Sequence, residues 1–293
     1  MKKYLILYIL FLPFLSFTQP NTEVFLFDLN HENGSFQLTN FKNISNNEGY
    51  DNQPSFLDNK TLLYAGTRNG QTDIVRYDIA KNEKKWICNT EGSEYSPLKI
   101  PNQDWVSAIR LDKDGKQTLR KYSLNTEESA LLIEDIVIGY HVWILEDILA
   151  SSVLEEDYLS LYVSNLSENK NYKHEIKVGR SLHNIPNTKL VSYISKAKDS
   201  VWEITSLDSS TRKTQFIVNT LPETEDMYWL ADGTILMGKN GILYGFNPKK
   251  YTDWHQLASL SDYGIKNITR LVVSPDGTKL AVVGELLDNS NKN

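Results

Sequence analysis

The chain has 293 residues, of which 40% are apolar, 11% aromatic and 23% charged, enough apolar content to bury a sizeable core and too much for a disordered chain. Its 31 Lys and Arg against 37 Asp and Glu leave a formal charge of -6, which argues against a protein that grips phosphate backbones, so no nucleic-acid partner is expected. Cys88 is the single cysteine, which excludes an internal disulfide framework and any multi-cysteine zinc or iron-sulfur site.

Met1-Lys2-Lys3 and the apolar run over residues 4–17 have the form of a signal peptide, with Ser16 and Thr18 placed for a signal peptidase. The run is shorter than the roughly 20 residues a bilayer requires and contains Pro13. The expectation is therefore a signal peptide over 1–18, cleavage near Thr18-Gln19, and a periplasmic or secreted domain over 19–293 with no stable membrane insertion.

Beyond this leader the chain repeats. Short polar turns recur at Asp58, Asn102, Glu146, Asn187, Asp232 and Asp276, at intervals of 44, 44, 41, 45 and 44 residues. An apolar strand follows most of them, as at 62–65, 189–194, 234–237 and 279–283. A third strand follows in the first five units, at 73–78, 119–123, 159–164, 201–206 and 242–247, marked by alternating or continuous aromatic and β-branched residues. Fourth strands are expected at 85–88, 130–133, 174–178, 214–218 and 254–257. Four short strands joined by tight turns describe one propeller blade.

The sixth unit lacks its last two strands, while residues 23–28 and 35–39 match a third and a fourth strand with nothing before them. The expected fold is thus all-β, a six-bladed β-propeller of four-stranded antiparallel blades in which the N-terminal strands complete the C-terminal blade. That blade comprises residues 268–285 and 23–40; the others span about 50–88, 93–134, 138–179, 182–221 and 226–260. Residues 41–52 read as a loop between blades.

Tyr50-Asp-Asn-Gln-Pro-Ser-Phe56, Leu62-Leu-Tyr-Ala-Gly-Thr-Arg-Asn-Gly-Gln-Thr-Asp-Ile74 and Val273-Ser-Pro-Asp-Gly-Thr-Lys-Leu-Ala-Val282 resemble the repeats of the periplasmic TolB-like, or WD40-like (PD40), propeller family. The resemblance covers about residues 23–285 and leaves no room for the smaller α/β domain that precedes the propeller in TolB. It implies an extracytoplasmic propeller that binds a partner.

The sequence has no G-x-S-x-G elbow, no H-E-x-x-H helix, no phosphate-binding G-x-x-x-x-G-K-[ST] and no G-x-G-x-x-G opening a helix. His141 and His183 enter the first strands of adjacent units without ligand spacing and read as packed or solvated groups, so no metal or other cofactor is expected. Asp112-Lys-Asp-Gly115 reads as a hairpin turn, because it lacks the longer calcium-loop pattern. Trp143 and Trp229 each lie three residues before a turn, a shared register that assigns them to blade packing.

Loops on one face of such a ring offer a charged and aromatic funnel, with Arg68, Tyr95, Glu155, Tyr228 and Lys239 as ligand-binding candidates. The functional expectation is a noncatalytic binding or scaffold protein that recognises an envelope or extracellular protein or glycan. The alternative is a propeller hydrolase or lyase acting on an extracellular carbohydrate or lactone, marked by Glu155 or Glu156 beside His141 or His183.

Overall fold

The computed structural model describes residues 20–31 and 35–287, so the expected signal peptide lies outside the described residues. In chain order the strands are β1 (Glu23–Asn30), β2 (Gln37–Asn43), β3 (Asn52–Asp58), β4 (Thr61–Arg68), β5 (Gln71–Asp78), β6 (Glu83–Trp86), β7 (Ser93–Lys99), β8 (Trp105–Leu111), β9 (Gln117–Ser123), β10 (Ser129–Ile133), β11 (Ile138–Trp143) and β12 (Ile148–Leu154). They continue with β13 (Leu159–Asn165), β14 (Lys170–Asn184), β15 (Val191–Ser195), β16 (Glu203–Leu207), β17 (Thr214–Asn219), β18 (Met227–Trp229), β19 (Ile235–Lys239), β20 (Ile242–Phe246), β21 (His255–Ser259), β22 (Ile265–Val273) and β23 (Lys279–Leu286). The expected loop at 41–52 is shorter than the sequence suggests, since β2 runs on to Asn43.

The architecture is all-β and propeller-like. Four sheets carry four strands each, in the orders β2-β1-β23-β22, β3-β4-β5-β6, β7-β8-β9-β10 and β18-β19-β20-β21. The fifth carries seven, β11 to β17, because β14 is a single 15-residue strand. Its first part pairs with β13 as far as Val178, and its second pairs with β15 from Leu182 onward. The sequence places a boundary here, but Gly179-Arg180-Ser181 contains no turn-forming pair, and the backbone crosses it through a bulge.

The expected joining of the chain ends is present. Val24, Phe25 and Leu26 of β1 pair with Val283, Val282 and Ala281 of β23. Both faces of this junction are buried. Phe25, Phe27, Leu280 and Val282 pack with Leu236 and Leu243 on one side, whereas Val24, Leu26, Ala281 and Val283 pack with Leu62, Tyr64 and Tyr77 on the other. Period-2 alternation thus sends successive side chains of one strand into two different sheet interfaces.

The repeating turns also take the geometry their residues favour. Asn102 and Asn187 adopt φ of 56° and 60°, and Gly233 and Gly277 adopt 86° and 74°. Neighbouring turns touch: Asn102 Nδ2 donates to Glu146 Oε1 (2.6 Å), and the Asp276 amide donates to Asn59 Oδ1 (3.0 Å). The two register-matched tryptophans are bolts between sheets, with Trp143 Nε1 donating to Ser107 Oγ and Trp229 Nε1 to Ser192 Oγ, both at 2.8 Å.

The innermost strands contact one another in the succession β3, β7, β11, β14, β18, β22 and back to β3. Phe27 is fully buried where the chain ends meet, tilted against Phe41 and edge-to-face with Tyr263. Phe27→Ala is expected to cost about 3–5 kcal/mol of unfolding free energy in urea titration, as for other buried aromatics replaced by alanine. A loss near zero would mean that this junction is not part of the cooperative core.

Candidate active site on the central axis

Every innermost strand contributes to one axial cavity of about 280 Å³, lined by Tyr140 and His141 of β11, Arg180 and His183 of β14, Tyr228 of β18 and Arg270 of β22, among others. Asp226, just before β18, joins this lining. Asp226 ties two guanidinium groups together: its Oδ2 lies 2.5 Å from an Arg180 terminal nitrogen, and its Oδ1 lies 2.9 Å from Arg270. Beside it, Glu225 faces Arg180 (3.5 Å) and Lys196 (2.8 Å). These contacts bind β14, β18 and β22, and the bulge in β14 is what turns Arg180 toward the axis.

Tyr140 supplies a phenol to this lining, and Tyr50 and Tyr95 lie outside it. The Arg270 guanidinium lies 5.8 Å from the Tyr140 ring centre, and Tyr50 and Tyr95 meet edge-to-face at 6.0 Å. Burial pushes the Tyr50 phenol up to about 12, with Arg270 and Arg180 pulling the other way. The two histidines stay neutral for the same reason: burial lowers His141 to about 3 and His183 to about 4. His141 Nε2 is engaged with Ser107 Oγ (2.7 Å). His183 packs edge-on against Tyr228 (5.2 Å), whose hydroxyl donates to the Val273 carbonyl (2.9 Å). His183 and Tyr228 also line a second cavity of about 660 Å³ with Asp232, Asp276 and Trp229, so this pair forms the neck between the two.

Away from the axis, Asp73, Cys88 and Glu94 form a buried cluster whose potential ligand atoms lie within 4.8 Å of one another. Cys88 Sγ is 3.7 Å from Asp73 Oδ1 and 3.5 Å from Glu94 Oε2. A tetrahedral ion with a metal–sulfur bond of about 2.3 Å and a metal–oxygen bond of about 2.0 Å would separate such donors by about 3.5 Å. Arg68 Nε lies 3.0 Å from Asp73, and Glu94 also accepts from Thr90 Oγ1 (2.6 Å) and Tyr122 (3.0 Å).

The same three positions recur one sheet earlier as Glu23, Ser45 and Asp51. The Val24 amide donates to Ser45 Oγ (2.8 Å) as the Ile74 amide does to Cys88 Sγ (3.4 Å), and Ser45 Oγ donates to Glu23 as the Cys88 thiol does to Asp73. Six residues separate Ser45 from Asp51 and Cys88 from Glu94. The cluster is therefore a repeated junction in which one copy carries a thiol.

The sequence-derived ligand candidates do not converge on one funnel. Tyr228 lies in the cavity neck, and Tyr95 stands against Tyr50. Arg68 is a wall of the Asp73 cluster, stacked 4.3 Å over Trp86. Glu155 is bound by Lys173 (2.7 Å) and Tyr162 (3.1 Å), and Lys239 Nζ donates to the Pro222 carbonyl (2.9 Å). The Glu155–His141 pairing that would have marked the enzyme alternative is not formed, because each group has its own partner. Sequence reasoning missed Tyr140, Asp226 and Arg270, although each lies six residues before a turn residue, at Glu146, Asp232 and Asp276.

No protein-family profile and no curated protein sequence matches the chain. Solved structures do. A protein assigned as TolB from Agrobacterium tumefaciens superposes with a TM-score of 0.69 at 9% identity, over 90% of this chain and 98% of that one. An oligogalacturonate lyase in complex with manganese gives 0.58 at 15% identity, over 90% and 86%. The oligogalacturonate lyase of Vibrio parahaemolyticus gives 0.57 at 12% identity, over 88% and 85%. At these identities the likeness is one of fold. The chain has a TolB-like propeller fold.

These findings correct the expectation of a noncatalytic scaffold that is more probably not an enzyme. The lone cysteine does not rule out a metal-capable group, since two carboxylates complete a buried three-donor cluster, and the fold is shared with lyases, one of them holding manganese. The Asp73–Cys88–Glu94 donors fit a zinc-like ion better than manganese, which prefers oxygen ligands. All three are buried, with no face open to a substrate, so such an ion would serve structure.

Both junctions hold carboxyls above their ordinary range. Burial, reinforced by Glu23, lifts Asp51 to about 6, and burial with Asp73 alongside lifts Glu94 as well. A raised value means that the native state retains protons the unfolded chain releases, so this contribution is complete in acid and is lost as pH rises through the folded-state value. The melting temperature should accordingly fall between about pH 4 and about pH 7, and Glu94→Gln and Asp51→Asn should each flatten the fall. A melting temperature that climbs over this interval contradicts the assignment.

Proposed function

We propose that the chain is an extracytoplasmic six-bladed propeller enzyme, a lyase that cleaves a uronate-containing carbohydrate by elimination in the axial cavity. The observation that carries this reading is the convergence of Arg180, Arg270, His183 and Tyr140 on one cavity. The circuit of innermost strands supports a count of six, with β14 serving two blades. The PD40-like motifs at 50–56 and 273–282 agree with it, and the leader at 1–18 supports export to the periplasm or beyond.

Elimination next to a sugar carboxylate needs cations to stabilise the negative charge that develops on that carboxylate and a neutral base to take the neighbouring carbon-bound proton; the bond from the next ring carbon to the glycosidic oxygen breaks as the double bond forms, and that oxygen leaves with a proton from water. Arg180 and Arg270 supply the first. His183, neutral because it is desolvated and fixed against Tyr228, supplies the second. Hydrolysis by the usual two-carboxylate route needs a pair of acids about 5–9.5 Å apart. The cavity lining carries one carboxylate, Asp226, and it is already held by both arginines. Elimination is therefore the better match to the residues present. No step is assigned to a metal, because the cluster suited to one is closed.

The test is turnover of polygalacturonate and other uronate polymers, followed through the ultraviolet absorbance of the unsaturated product. The wild-type chain should form that product, and Arg180→Gln should lower kcat/KM by about 10²–10³-fold. Turnover should hold steady from neutrality into mild acid and fall as His183 gains a proton near 4. Absence of unsaturated product from every uronate polymer would reject the reading.

A further inference from the structure

Asp226 occupies the place where a ligand carboxylate would meet the two arginines, and this fixes the charge the cavity can accept. The charged side chains of the lining are Arg180, Arg270 and Asp226, so two guanidinium groups face one carboxylate. The neighbouring Glu225 is itself matched by Lys196 at 2.8 Å. The lining histidines are uncharged at neutral pH. One positive charge is left over.

We infer that Asp226 is a specificity-determining residue that tunes the axial cavity to a ligand carrying a single negative charge, such as one sugar carboxylate, and against a doubly charged anion. The inference rests on the uronate reading and adds the charge class of its substrate. Asp226 accepts from Arg180 at two oxygens (3.2 Å each from Nε) while its Oδ1 faces Arg270 at 2.9 Å, so it holds two like charges together that would otherwise separate. A monoanion can add to this set and leave it neutral. A dianion leaves an uncompensated negative charge in a site only partly open to water, where Coulomb interactions are stronger than in bulk solvent.

Replacing Asp226 removes that internal counter-charge and should shift the preference toward dianions. The arginines would then present two positive charges to whatever enters. The Tyr140 phenol of the lining can hydrogen-bond either kind of anion and does not distinguish them. The selectivity therefore belongs to the carboxylate.

The experiment is calorimetric titration at fixed ionic strength with galacturonate, the neutral sugar galactose and inorganic sulfate. The wild-type chain should bind galacturonate on the order of tenfold or more tighter than either of the others. In Asp226→Asn the ratio of sulfate to galacturonate affinity should rise on the order of tenfold or more, while Asp226→Glu should keep the wild-type preference. If Asp226→Asn does not fold, Arg270→Gln decides the matter. With Asp226 still counted the cavity becomes neutral, so galacturonate and galactose should bind alike. An unchanged ratio in Asp226→Asn, a retained galacturonate preference in Arg270→Gln, or wild-type protein that favours sulfate or binds no anion would each overturn the inference. Turnover is not read in any arm, so a chain with this selectivity and no elimination activity would reject the lyase reading and leave the charge rule standing.

Discussion

The pairing of β1 with β23 is the constraint on which the rest of the molecule depends. A sheet at either end of an open array would expose one face and a row of unpaired backbone groups. Here, residues more than 250 positions apart form one ladder, and alternate side chains of β1 enter two different interfaces. Because that ladder brings the first and last sheets together, β22 can contact β3, and the innermost strands surround a common axis. The cavity on that axis exists by virtue of the arrangement of strands, not through a dedicated loop or lid.

Electrostatics in the cavity follow from this enclosure. Desolvation keeps His141 and His183 neutral and holds the Tyr50 hydroxyl protonated, so formal charge is confined to the arginines and the carboxylate between them. The junctions between sheets obey the opposite economy of charge. There, two acids approach a hydroxyl or a thiol, and burial favours proton retention over ionisation. One fold thus sustains a cationic axis and, at Asp51 and Glu94, carboxyls of raised proton affinity through the same desolvation.

Much of the architecture was legible in the residues. The period of about 44, the split terminal strands and the Pro-Asp-Gly turn all report local backbone needs, and Asn102, Asn187 and Gly277 adopt the positive φ those needs imply. The tryptophan register was equally readable, since Trp143 and Trp229 make the same hydrogen bond to serines of preceding strands. The site was much less so. Arg180 and Asp226 lie 46 residues apart, and nothing local marks either as the other's partner. Arg68, Glu155 and Lys239 looked available because loop position hints at exposure, but their ion pairs and carbonyl contacts are set by neighbours that only the fold supplies. Counting cysteines spoke only to thiol-rich metal sites and was silent about mixed donors, so Asp73 and Glu94 gave no signal beside Cys88.

The unbroken course of β14 has a mechanical consequence. This seam is crossed by one continuous strand carrying hydrogen-bond ladders on both sides, which joins two sheets into one. Arg180 sits at the handover between those ladders. Its guanidinium is consequently carried by backbone anchored in two sheets at once, whereas Asp226 and Arg270 reach it from walls that belong to one sheet each.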